Sequence, residues 1–353
     1  MPSAWLRLVL LVSVTPLSAQ THVSWSQSAA SSTSGPGGRA GAAHTPQALS
    51  ENTGSALADM LWMFGGIHEA QPLNYSAELW SYTASTNAWE MMPASPTNGP
   101  PARVGSAMCA VGHSLYVYGG ASFEAGAHND LHRFNTAQRQ WQRMVLPGVA
   151  PGALAYHSMS CAGGKAYVSG GEDASGTLQR EMYAINDIGT GAVAWSRIGL
   201  SGAPPTARRG HSLTSSGSRL YLFGGRGPSS TLLNDAYYYD TGSTVWTSLA
   251  TVGELPSGRE GHSAVILSER LYVFAGFDGY GSLNEVRHLP QPDLPQSVLP
   301  QPVSFHNEAF HGPAVHGGLS TAMPSTARPP TGTSSTTRLT LLGLPQPPQP
   351  LRN

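Results

Sequence analysis

Charge is scarce in this chain of 353 residues. Asp, Glu, Lys and Arg together make up 11%, and the formal net charge is −1. There is no general field to draw in nucleic acid or anionic lipid, and no basic stripe points to a nucleic-acid partner. Cysteine is limited to Cys109 and Cys161. Long apolar runs are missing: the N-terminal one is too short to span a bilayer comfortably, and no later segment is longer. The motifs of common chemistry are missing too, with no nucleophile motif, phosphate-binding loop or HExxH pair. Against these absences stand 41 glycines and 28 prolines. That composition suits a turn-rich all-β protein better than a helical one.

What is there is a recurrence. A short apolar run closes on Gly65-Gly66, Gly119-Gly120, Gly170-Gly171 and Gly224-Gly225, and a fifth ends in Ala275-Gly276. The spacing is 51 to 54 residues. Nineteen positions earlier lie Pro46, Pro100, Pro151, Pro205 and Pro256, and after the first four pairs come Trp89, Trp141, Trp195 and Trp246. A fixed period near 50 means stacked supersecondary units.

The fourth unit reads most clearly. Pro205–Leu213 leads into a first strand, Gly217-Ser218 makes a turn, and Arg219–Phe223 is an aromatic and aliphatic second strand. Gly224-Gly225 admits backbone closed to other residues. Ala236–Asp240 is a third strand, and Val245–Leu249 a fourth, opened by Trp246. Four short antiparallel strands make one twisted sheet. Such a sheet cannot bury both faces alone, and radial stacking of copies buries them against each other. The recurrent tryptophan is then the filler between sheets.

The stretches RRGHSLTSSGSRLYLFGG (208–225), LNDAYYYDTGSTVW (233–246), NDLHRFNTAQRQW (129–141) and REGHSAVILSERLYVFAG (259–276) resemble the kelch repeat. The resemblance covers roughly residues 46–289 and implies an all-β kelch-type propeller. Its blade cores would be about 46–95, 100–147, 151–200, 205–250 and 256–289. The units depart from the pattern in places. Leu49 and Asn52 stand for Arg and His in the first unit, Ser106 for His in the second, Leu154 for Arg in the third, and Ala275 for Gly in the fifth. The first strand of the first unit, around Asn52–Ala58, is weak by propensity. Family members commonly have six or seven units, against five here.

The two ends read differently. Arg7, the apolar run Leu8–Val14 and small residues at Ser18 and Ala19 resemble a secretory signal over 1–19, with Leu17 an untypical residue before the cut. Asn74-Tyr75-Ser76 is a glycosylation sequon that fits secretion. The fifth unit lacks a fourth strand after Pro290, and Thr21–Gln27 with Trp25 matches the outer strands of other units. We therefore expect Val23–Gln27 to pair antiparallel with Asn284–Leu289 and close a ring over 20–290. The cysteines fall one step out of register on equivalent strands, so alternation points them opposite ways. Buried thiols are expected rather than a disulfide. The Pro-, Ser- and Thr-rich segment 291–353 reads as disordered. Its His306, His311 and His316 read as spectators rather than as metal ligands.

Function in a propeller belongs to loops on one face. One set follows each Gly-Gly pair and the other precedes each first strand. Arg103, Arg208 and Arg259 share a repeat position beside that second set. They form either a cationic rim for an acidic partner segment, the contact that similar kelch propellers imply, or ties to Asp or Glu of the adjacent unit. Repetition favours the ties. His157, His211 and His262 share another position, which favours a buried hydrogen-bonding role over catalysis. No cofactor is expected. The reading is a secreted protein-binding module that is not an enzyme. A metal-dependent or carbohydrate-active propeller is the alternative; Asp173, His68 and Asp278 lie on loops suited to it, but nothing fixes them together.

Overall fold

The computed structural model describes the strands at 10–17 and 20–27, residues 39–44, and residues 60–290 with short internal gaps. The segment 291–353, with its histidines, lies outside the described residues. Five small sheets follow one another along the chain, as the repeats require. The second blade is Ala107–Val111, Ser114–Tyr118, Leu131–Asn135 and Gln140–Met144, paired in that order and antiparallel. The third is Ser158–Ala162, Lys165–Ser169, Met182–Asn186 and Ala194–Ile198. The fourth is Ser212–Ser216, Arg219–Arg226, Leu232–Asp240 and Val245–Ser248. The fifth has three strands among the described residues, Ser263–Leu267, Arg270–Phe274 and Val286–Pro290.

The core lies between blades rather than within them. Four apolar clusters fill the four spaces between successive blades. Trp141 packs edge-on against Phe64 of the preceding blade, and Trp195 does the same against Tyr118. Trp246 is 1% exposed and lies in the cluster between blades three and four. Trp89 is half-buried and touches Tyr82 of its own blade. Trp141, Trp195 and Trp246 are fillers between blades, as their recurrence indicated; Trp89 is in none of the four clusters. Nothing is described of the Trp25 side chain.

The Gly-Gly pairs are the joints. The second glycine of each pair donates its N–H to the next blade: Gly66 and Gly171 to the carbonyls of Arg103 and Arg208, Gly120 to Leu154, and Gly225 to Arg259, at 2.8–2.9 Å. The first glycine is pinned more tightly. Gly119 has φ +60°, and a Cβ there would lie 2.5 Å from the Leu154 carbonyl oxygen and 2.8 Å from Cε1 of His157. Only glycine meets both demands. Ala275 keeps the same left-handed backbone, φ 58°. Among the described residues no following blade packs on it, so its methyl is tolerated at the cost of local strain.

Three expectations are corrected. In the first blade the inner strand is Ala43–His44, paired with Met63 and Phe64, and Arg39–Ala40 pairs with Ile67–His68. Ala43 meets Phe64 as Ala107 meets Tyr118, so this hairpin is ten residues longer than in the second blade. Counting back a fixed distance therefore chose Pro46, Leu49 and Asn52. The register gives the repeat positions to Pro36, Arg39 and Ala42 instead. Secondly, Gln20–Gln27 pairs with Leu10–Leu17, not with the fifth blade. A two-residue connection closes at far less entropic cost than one over the whole repeat region. Thirdly, Cys109 and Cys161 form a disulfide, with Cα atoms 5.7 Å apart. Their side chains do point to opposite faces of equivalent strands. Neighbouring blades stack face to face, however, and opposite faces are what bring the two sulfurs together.

Candidate functional site

The repeated arginines are buried, with Arg103 and Arg259 at 0% exposure and Arg208 at 1%. Each makes the same three contacts inside its own blade. Nε donates to the carbonyl two residues earlier, of Pro101, Thr206 or Ser257, at 3.0, 3.0 and 3.1 Å. Nη1 donates to the carbonyl of the first residue of the Gly-Gly position, Gly119, Gly224 or Ala275, at 2.8, 3.0 and 3.0 Å. The guanidinium then meets a carboxylate at the start of the third strand. Arg103 grips both oxygens of Asp130 at 2.5 and 2.8 Å, and Arg208 both of Asp235 at 2.6 and 2.9 Å. Arg259 reaches Glu285 at 2.7 Å. This fork closes the loop end of a blade by tying three strand termini. The three residues are therefore no rim for an acidic ligand, and the carboxylates they tie belong to the same blade rather than to the adjacent one. Burial pushes the Asp130 carboxyl up, but hydrogen bonds from Arg103 and His132 outweigh it and hold the group well below the usual carboxylate range.

Ties between blades come from the neighbouring positions instead. Arg209 of blade four binds Glu172 of blade three at 2.5 Å. Arg226 binds Glu260 of blade five at 2.5 Å, and Arg209 lies 3.8 Å from that carboxylate as well. Tyr156 places its ring under the Arg209 guanidinium, 5.4 Å away. Sequence reasoning missed this network. Its only signal was unlike charges one step after the repeated arginine and one step after the Gly-Gly pair.

The repeated histidines lie at the joints. His157 and His262 meet Tyr118 and Phe223 of the preceding blade edge-on, and Cε1 of His211 faces Gly170. His262 shares a hydrogen bond of 3.0 Å with Ser212 Oγ. His211 makes no hydrogen bond through either nitrogen among the described residues, and the contact of His157 with the Tyr118 backbone falls short of hydrogen-bond geometry. The expected hydrogen-bonding role is thus met at His262 and replaced by packing at the other two. Desolvation pushes the His157 imidazole down to about 4 and His211 well below its ordinary value, so both are neutral near pH 7. Among the described residues no group of three or more His, Cys, Asp or Glu is placed to hold a metal.

The two loop sets share one face. Bridges join Val104 to Ala121, Arg209 to Arg226 and Glu260 to Phe277, and Leu154–Ala155 pairs with Glu172–Asp173. Exposed aromatics project from the loops that follow the Gly-Gly pairs. Phe123 is 70% exposed and stacks on Tyr75 of the first blade at 4.2 Å; Tyr280 is 99% exposed. Asn74 sits on the same face in a two-residue strand against Ile67–His68. No helix of the described residues is long and apolar enough to cross a membrane.

Comparison with known proteins agrees with this geometry. Residues 51–276 match the model of the KLHDC2/KLHL20/DRC7 Kelch-repeats domain. Kelch domain-containing protein 3 of Bos taurus is 33% identical over 207 residues, 53% of each chain. Host cell factor 2 of Homo sapiens is 32% identical over 202 residues, 51% of this chain and 25% of that protein. Tip elongation aberrant protein 1 of Schizosaccharomyces pombe is 29% identical over 185 residues, 50% of this chain and 16% of that one. The chain spans about half the length of these relatives or less. With the family model covering more than half of the chain and five blades jointed at Gly-Gly positions, the protein belongs to the kelch-repeat family of β-propellers.

Proposed function

We propose that this propeller binds a protein partner with the loops of its Gly-Gly face, and that it does so in the secretory pathway or outside the cell. The observation that carries the first part is the set of exposed aromatics on that face. Phe123, stacked on Tyr75 across two blades, and Tyr280 offer apolar area to water. Such residues are the usual anchors of protein interfaces. An acidic partner segment has lost its motive, because the three repeated guanidiniums already hold carboxylates. Secretion is supported by the Cys109–Cys161 disulfide, which persists in oxidising compartments. The leader-like 1–19 and the Asn74 sequon fit the same reading; cleavage after Ala19 would remove Leu10–Leu17, so the pairing of Gln20–Gln27 with that strand belongs to the uncleaved chain.

The test is affinity capture from the secreting cells with the parent and a Phe123→Ala/Tyr280→Ala variant. The variant should melt as the parent does and lose the partner. A partner retained by the variant removes the loop aromatics from the site. Mass spectrometry of protein from the medium should find a chain beginning at Gln20 and a glycan on Asn74; recovery only from the cytosol overturns the compartment.

A further inference from the structure

Blade three breaks the arginine pattern and keeps everything that surrounds it. Leu154 stands where blades two, four and five carry Arg103, Arg208 and Arg259. It is buried in the cluster between blades two and three. A leucine side chain ends at Cδ, so the volume that a guanidinium fills in the other blades lies beyond its reach. A cleft of about 410 Å³ opens there on the loop face.

The walls of that cleft are the parts of the arginine cradle. Glu181 stands where Asp130, Asp235 and Glu285 stand, as its carbonyl shows by accepting the N–H of Gly170 just as those of Asp130 and Glu285 accept from Gly119 and Ala275. The buried Gly170 carbonyl stands where Gly119, Gly224 and Ala275 accept from arginine, and no hydrogen bond to it is present among the described residues. Tyr183 follows Glu181 by two residues, as Tyr237 follows Asp235, and in blade four the Arg208 guanidinium lies over the Tyr237 ring at 5.4 Å. Asp173 adds a second carboxylate, fixed by donors from Ser175, Thr177 and Gln179. The lining contains no cation. Arg197, 58% exposed, pairs with Glu181 through Oε2, at 2.8–2.9 Å.

We propose that the blade-three cleft receives an arginine side chain from the partner polypeptide, supplying in trans the guanidinium that the other blades supply themselves. Glu181 Oε1 and the Gly170 carbonyl oxygen accept its N–H groups, and the Tyr183 ring takes its flat face. A lysine ammonium fits worse, because the carboxylate, carbonyl and ring are set for a planar fork. This specifies the chemistry of the partner and so rests on the protein-binding reading. A small probe tests the cleft without that reading.

The experiment titrates acetyl-Gly-Arg-Gly-amide, and its lysine and citrulline counterparts, into the full chain with calorimetric or NMR detection. The arginine peptide should bind at one saturable site, the lysine peptide more weakly, and the neutral citrulline peptide not at all. Glu181→Gln should weaken the arginine peptide about tenfold or more, since a charge-assisted pair becomes a neutral one. Leu154→Arg should abolish binding while the melting temperature holds or rises, because the chain's own guanidinium then fills the cradle. Arg197→Gln should tighten binding by freeing Glu181. The proposal is overturned if the arginine peptide shows no saturable binding, if citrulline binds as well, or if Glu181→Gln leaves affinity unchanged. Should Leu154→Arg fail to fold, the Glu181 variant, which replaces a partly buried side chain with one of the same shape, still decides. No peptide site, with the partner still lost by Phe123→Ala/Tyr280→Ala, refutes only the cleft; a peptide site present, with the partner retained by that variant, refutes only the aromatic face.

Discussion

Replacing Arg103 by Leu gives blade two the residue that blade three already carries, so the scaffold demonstrably accepts the side chain. The cost must come from what the guanidinium leaves behind. The Asp130 side chain is only 12% exposed, and it would lose both hydrogen bonds of the fork, keeping His132 at 2.9 Å. The carbonyls of Gly119 and Pro101 would lose their donor as well. Removing one partner of a buried pair typically costs about 3–5 kcal/mol, whereas removing both with apolar replacement is near neutral. Arg103→Leu should therefore lower the unfolding free energy by about 3–5 kcal/mol, and Arg103→Leu/Asp130→Leu should recover most of it. Arg208→Leu should cost less, because its partner Asp235 is 35% exposed and water can take over. Acid adds a second check. The Asp130 carboxyl is held low in the native state. Its contribution is thus present above the unfolded carboxylate value near about pH 4 and fades as pH falls below that toward the folded value. The gap between parent and Arg103→Leu should begin to close below about pH 4 and keep narrowing as pH falls toward the depressed folded value. Urea melts at a series of pH values measure all of this. A loss below about 1 kcal/mol at pH 7, or a double variant no better than the single, would refute the orphaned-carboxylate argument.

Trp246→Ala should cost about 3–5 kcal/mol in a denaturant melt, because it empties a nearly sealed site between blades three and four; a loss below about 1 kcal/mol would show the indole is not a filler. The Cys109→Ala/Cys161→Ala variant frees a loop of 52 residues. Chain entropy puts its loss near 4 kcal/mol, and a melt identical to that of the non-reduced parent would mean that the link does not form in solution.

Much of the fold was legible because repetition averages over weak local signals. Five Gly-Gly positions and four tryptophans in register define blades that no single unit would define. What was not legible depends on spacing between sheets. Alternation along a strand correctly placed Cys109 and Cys161 on opposite faces, but reading that as separation ignored that blades stack. The long hairpin of blade one hid the motif Pro36-Gly37-Gly38-Arg39-Ala40-Gly41 behind a decoy proline at the usual distance. Pairing of Gln20–Gln27 with its own neighbour was hidden in another way: Trp25 matches the outer-strand pattern, yet a match does not rank a local partner against a distant one.

The site residues were misjudged for a related reason. A side chain repeated in every unit is selected by what every unit shares, and in a propeller that is the blade itself. Arg103, Arg208 and Arg259 fit this rule, since each closes the loop end of its own sheet. A residue that differs while its surroundings do not is held by something other than the common fold. Leu154 was visible in the sequence as such a departure, but it had no meaning there. Its meaning needs three further positions, Gly170, Glu181 and Tyr183, to be seen facing the same gap. None of them departs from the repeat, so none attracts notice alone. Only when the register superimposes the blades does the missing guanidinium become a space lined by the carboxylates of Glu181 and Asp173, a carbonyl with no partner among the described residues, and one aromatic ring. In this chain, then, the repeat positions explain why the propeller stands, and the exception to them is where a partner has most to gain.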